Sequence, residues 1–108
     1  MTKYTFFVHM NATCAWLRMS RQERDAYFSQ EFGPLLAKYG EVQVRLFDVE
    51  AFSALCSDIA MFETENLQAY TFLMDALRDS NFYTIPYFEI VGIYPAIEEG
   101  FRTYTASL

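Results

Sequence analysis

Two stretches of helical periodicity are threaded between four segments of strand character, and that order constrains this chain more than any other feature. Residues 3–10, Lys3-Tyr4-Thr5-Phe6-Phe7-Val8-His9-Met10, are β-branched and aromatic and suit a strand buried on both faces. Ser20 then stands three residues before Glu23, the spacing at which two side chains satisfy orphan backbone donors at a helix start. Phe28, Phe32, Leu35 and Tyr39 follow as one apolar stripe, and Gly40 offers a stop. Pro34 removes a backbone donor inside that stripe, which predicts a kink or break near Gly33. Residues 41–48 alternate as a second strand and residues 57–63 as a third. The connector Val49–Cys56 is expected to form a helical turn over the sheet edge. Thr64 is expected to cap a second helix with the inward stripe Leu67, Tyr70, Leu73, Met74 and Leu77, ending near Asp79. Pro86 opens a fourth strand over 87–94 and Pro95 closes it.

The order is β-α-β-β-α-β, the split-βαβ or ferredoxin-like pattern: an α+β sandwich with a four-stranded antiparallel sheet. Right-handed crossovers place strands 1 and 3 centrally with both helices on one face. Period-2 alternation assigns Phe6, Val8, Val44, Leu46, Ile59 and Met61 to the helices, and Phe7, His9, Arg45, Phe47, Asp58, Ala60, Phe62 and Glu89 to the second face. That face mixes apolar rings with single charges, and an apolar sheet face of this size needs a partner. Two copies are therefore expected to pack sheet to sheet, isologously, with a cavity between sheet and helix or at the interface.

Composition narrows the function. The 108 residues carry 8 Lys+Arg against 14 Asp+Glu, a net charge of −6. Such a field disfavours nucleic acid and anionic membrane as partners. A hydrophobic content of 53% excludes disorder and suits one domain over residues 1–108. No apolar run is long enough to span a membrane, and the N-terminal segment reads as a strand, not a signal peptide. Cys14 and Cys56 stand far apart with no CxxC or Cys/His spacing, so neither a zinc site nor a disulfide scaffold is expected, and the default setting is reducing and cytoplasmic.

Phe47-Asp48-Val49-Glu50-Ala51-Phe52-Ser53 and Ser57-Asp58-Ile59-Ala60-Met61-Phe62-Glu63-Thr64 resemble strings of the darcynin family, as do Tyr4–Val8, Ala15-Trp16-Leu17 and Tyr87–Ile90. The likeness runs from about residue 3 to residue 101, with Phe62 where the family's AMxET string has Trp. Darcynins are small bacterial proteins of the dimeric α/β-barrel class, so the resemblance implies that fold and a homodimer. It implies no settled activity, catalytic residue or cofactor.

Candidate chemistry rests on a few residues. His9, the single histidine, could serve as general base, proton shuttle or axial haem ligand, or could be a hydrogen-bonded residue at a dimer seam. Arg45, Asp58 and Glu89 are lone charges inside apolar strands. A salt bridge from Arg45 to Asp58 or Glu89 is the simplest expectation, and anion stabilisation by Arg45 the functional alternative. Trp16, Phe7, Phe47 and Phe62 could wall a pocket for a flat aromatic ligand. Neither cysteine has a sequence-adjacent histidine or basic cluster, so both are expected to be inert. The reading is a homodimer that binds a small apolar or aromatic molecule, without cofactor or metal; the resemblance, through the family's wider relatives, implies that it could transform that molecule as an oxygenase, isomerase or lyase. His9 would then transfer protons, Asp58 or Glu89 would orient it, and Arg45 would stabilise an anion. The alternatives are a non-catalytic interaction module and a haem-binding protein that uses His9.

Overall fold

A computed structural model describes all 108 residues. Strands β1 (Tyr4–Ala12), β2 (Gln43–Asp48), β3 (Asp58–Thr64) and β4 (Phe88–Ala96) form one antiparallel sheet in the order β2-β3-β1-β4. The helical segments are α1 (Cys14–Leu17), α2 (Arg21–Tyr27), α3 (Gly33–Lys38), α4 (Leu67–Arg78), α5 (Asn81–Thr84) and α6 (Gly100–Ser107). The expected α+β architecture is present, with β1 and β3 central.

The box at Ser20 forms as expected: Ser20 Oγ accepts from Glu23 N at 3.1 Å while Glu23 Oε1 accepts from Ser20 N at 2.9 Å. Pro34 does not break the helix. A wide π-type turn, Phe28–Phe32, joins α2 to α3, and the Gly33 amide donates five residues back to Phe28 O. The wide turn carries the preceding carbonyls clear of the proline ring. Helix α4 buries Tyr70, Leu73, Met74 and Leu77 as its periodicity predicts, but Leu67 stays substantially exposed. Its cap is Asn66, whose side chain accepts from Ala69 N, and not Thr64, whose hydroxyl is committed to Glu41 O. The connector before β3 makes one tight turn, with Phe52 N and Ser53 N both donating to Val49 O. It points away from the sheet, leaving Phe52 90% exposed.

Pairing corrects one strand. Phe6 lies opposite Phe62, Val8 opposite Ala60 and Met10 opposite Asp58, so Asp58, Ala60 and Phe62 face the helices, whereas Ile59 and Met61 occupy the other, open face. Residues 59–62 are all apolar, so alternation could not set the phase of β3, and a one-residue slip reverses every side chain. Arg45, Phe47, Phe7, His9 and Glu89 lie on the open face as predicted. The expected Arg45 salt bridge is absent: the guanidinium lies over the Phe47 ring at 5.3 Å, and Asp58 is on the far side of the sheet. Strand β4 runs through Pro95, which an edge strand tolerates. It also holds one extra residue: His9 pairs with Gly92 but Met10 with Ile90, leaving Val91 bulged outward.

Candidate ligand-binding site

The site is built where β1 ends. Thr13 donates its hydroxyl to Pro86 O at 2.7 Å and its amide to Tyr87 O at 3.0 Å, pinning the exit of β1 to the entry of β4. The same hydroxyl caps α1 by accepting from Trp16 N. That short helix turns Trp16 inward, where its ring meets Phe28 edge-on at 5.4 Å and Phe88 at 5.1 Å. Arg24 closes over the top. Its Nε and Nη2 donate to Trp16 O and Leu17 O at 3.2 and 2.8 Å, and its guanidinium lies 6.0 Å from the Trp16 ring centroid.

Between this wall and the sheet lies a cavity of about 340 Å³. Its apolar lining comes from Met10, Trp16, Phe28, Leu46, Phe82 and Phe88, and its polar rim from Arg21, Arg24, Asp25, Asp48 and Asp58. The volume is in the range of small-molecule sites. Asp58 is the half-buried group among these acids. Ser57 Oγ accepts from Ala12 N at 2.7 Å and donates to Asp58 Oδ2 at 2.6 Å, so the carboxylate is held by the exit of β1 itself. Burial pushes the Asp58 pKa up, and the neighbouring carboxylates of Asp48 and Glu50 push the same way. The Ser57 hydrogen bond partly offsets both effects. Oxygens of Asp48, Glu50 and Asp58 lie within 4.8 Å of one another, and the outer two are solvated. The cavity is therefore an aromatic slot with an acidic end, where burial disfavours the charged form of Asp58.

The structure separates the predicted constellation. Asp58 and Trp16 line the cavity. Phe62 is buried on the same side of the sheet but packs against Tyr70 at 5.8 Å and does not reach the cavity. His9, Arg45, Glu89, Phe7 and Phe47 are on the open face, so neither Asp58 nor the cavity is within reach of His9. His9 instead meets the Tyr94 ring at 4.9 Å, and its Nδ1 lies 3.7 Å from Cys56 Sγ. Cys56 therefore does have a histidine neighbour, brought from 47 residues away by the β1–β3 pairing. Sequence reasoning missed Arg21, Arg24, Asp25 and Asp48. The first three had a signal, since Arg21, Arg24, Asp25 and Phe28 share one face of the helix that Ser20 opens.

A sheet with helices on one face and a slot between them defines an α+β protein of ferredoxin-like fold. A chlorite dismutase mutant from Candidatus Nitrospira defluvii superposes with a TM-score of 0.77 at 14% identity, covering 100% of this chain and 44% of that one. A heme-binding protein from Thermus thermophilus gives 0.73 at 16% identity, covering 97% and 44%. The chain thus spans under half the length of these solved structures, and at such identities the likeness is one of fold. At closer range, the darcynin family model, described as a domain of unknown function, matches residues 2–107. Darcynin from Chromobacterium violaceum is 61% identical over 75 residues, 69% of this chain and 95% of that protein. Darcynin 1 from Acinetobacter baumannii is 51% identical over 88 residues, 82% and 98% respectively. The chain belongs to the darcynin family.

Haem does not fit the residues around the cavity. None of them is a histidine, cysteine or tyrosine, and His9 faces away. The one soft donor, Met10 Sδ, already accepts from Tyr83 OH at 3.4 Å. Burial raises the pKa of that phenol and keeps it a proton donor.

Proposed function

We propose that this chain is a homodimeric small-molecule-binding protein, and that its sheet–helix cavity takes a small aromatic molecule bearing a hydroxyl or amino donor. The observation that carries this reading is the pairing of a Trp16–Phe28–Phe88 wall with the half-buried Asp58 carboxyl inside one cavity. The wall supplies stacking surface. The acidic end supplies acceptors, while the Arg24 guanidinium is committed to two backbone carbonyls. An aromatic carboxylate would meet three carboxylates and only Arg21 free to receive it, so a donor is favoured over an anion. Asp58 is the group placed to accept a proton from such a ligand and return it, with no organic cofactor.

Trp16 is the single tryptophan, so its emission reports on the cavity alone. Phenol and benzylamine, titrated to millimolar concentration, are expected to shift or quench it, and benzoate is not. Asp58→Asn should weaken phenol binding by about 1.5–3 kcal/mol, the usual worth of a hydrogen bond to a charged group. A silent Trp16 in a folded protein with both donors present would remove the cavity from consideration and leave a non-catalytic interaction module.

The homodimer rests on surface. A compact chain of 12.6 kDa exposes about 6,200 Å². This one exposes 7314 Å² and buries only 18 of its 108 residues. Its radius of gyration is 15.5 Å, where about 13 Å is usual for this length. The excess, about 1,100 Å² per copy, is what a stable pair would cover. The open face, with Phe7, Phe47 and Tyr94 beside Arg45, Glu63 and Glu89, offers apolar area and both signs of charge. The two free cysteines fit a reducing, cytoplasmic setting.

A further inference from the structure

Helix α6 buries none of its residues against its own chain. It is eight residues long, and isolated helices below about 12–15 residues are marginal in water. Its sequence, Gly-Phe-Arg-Thr-Tyr-Thr-Ala-Ser, is rich in poor helix formers. Glu99, at the capping position, is left-handed with φ 46° and gives no side-chain cap. The one ion pair, Arg102 to Glu99, is solvent-exposed and worth little. No residue of the helix is buried.

Its apolar side chains are nonetheless ordered. Phe101, Tyr104 and Leu108 recur at helical spacing and each is more than half exposed, as is Ile97 just before the helix. Ile97, three residues before the helix, lines a depression of about 320 Å³ together with Phe7, Arg45 and Met61 of the open sheet face. Glu63 and Glu98 border the same depression, so cation and anions lie side by side, as a self-complementary surface requires. The long dimension of the chain, 55 Å against 32 and 19 Å, leaves much of its surface outside the compact body.

We infer that α6 is a dimer arm, whose Phe101–Tyr104–Leu108 stripe docks on a second copy of this chain as that copy covers the open sheet face. This rests on the homodimer proposed above and adds the element that clasps it. The missing cap and missing packing are then supplied across the interface, and the apolar strip from Tyr94 to Leu108 is shielded along its whole length.

Two measurements on the pure full-length protein separate the arm from the dimer. Sedimentation equilibrium gives the dimer dissociation constant of the wild type and of the Phe101→Glu/Tyr104→Glu variant. Both residues lie outside the core, and circular dichroism checks that the variant is folded. The expected result is a wild-type dimer weakened by about tenfold or more in the variant, the scale of two anchor residues. Amide exchange of residues 100–107, followed in wild-type protein above and below that dissociation constant, should be slow in the dimer and fast on dilution. A wild type that stays monomeric at millimolar concentration overturns the dimer and the arm together. An equally tight variant dimer, or α6 amides that exchange at one rate at every dilution, overturns the arm and leaves the dimer standing.

Discussion

At the scale of single residues, Asp58 is the informative one. Its carboxyl is raised by burial, so its proton is favoured in the folded state more than in the unfolded chain. The linkage sign follows: the contribution is fully present below the ordinary carboxyl pKa and is lost as pH rises through the elevated folded value. Asp58→Asn keeps an acceptor for Ser57 but has no charge to bury. It should raise the melting temperature near pH 7, with the gain shrinking to nothing near pH 3, as thermal melts across that range would reveal. A variant that loses stability at pH 7 would mean the ionised carboxylate is a stabilising partner. The same residue shows what the sequence withheld. A lone Asp at the head of an apolar run signalled function, but Ile59-Ala60-Met61-Phe62 carried no alternation to say which side it faced. His9 and Cys56 were legible as residues, not as a pair, because only the β1–β3 register brings them to 3.7 Å.

At the scale of elements, local chemistry was legible and long-range chemistry was not. Ser20 and Glu23 fix the start of α2 within one turn, and the sequence states both partners. The fate of Pro34 depended on whether neighbouring packing would hold the helix together through a wide turn. The burial of Phe32 in the core and the partial burial of Leu35 against it do so. Gly33 belongs to that device: a Cβ there would sit 2.9 Å from Phe28 O, the acceptor of its own amide. Gly33→Ala should therefore cost about 1–2 kcal/mol in urea denaturation, even though alanine is the better helix former by about 0.5–1 kcal/mol. A neutral or stabilising result would show that the π-type turn relaxes freely. Helices α1, α5 and α6 escaped the sequence reading because each is short.

At the scale of the whole molecule, the sheet acts as a partition. One side, with the helices, holds the core and the aromatic slot; the other holds His9, Arg45 and Glu89. The β-α-β-β-α-β order was readable from strand and helix periods. A cavity between sheet and helix was expected, but its lining was not legible, because it is assembled from α1, α2, the π-type turn, α5, β2, β3 and the ends of β1 and β4. The partition also puts His9 on the face away from the slot, which bears on haem. Wild-type and His9→Ala proteins, mixed with haemin and stripped of excess, should give the same Soret band. A red shift that depends on His9 would put iron on the open face.

The supernumerary Val91 has a wider consequence. An outer strand is a rail onto which further chains can add by backbone pairing, and a chain this rich in rings would extend such a ladder into fibrils. One surplus residue twists that rail and throws its unpaired amides out of step with any regular newcomer. Growth along the sheet is disfavoured on that side, which leaves the flat of the sheet as the surface open to any assembly.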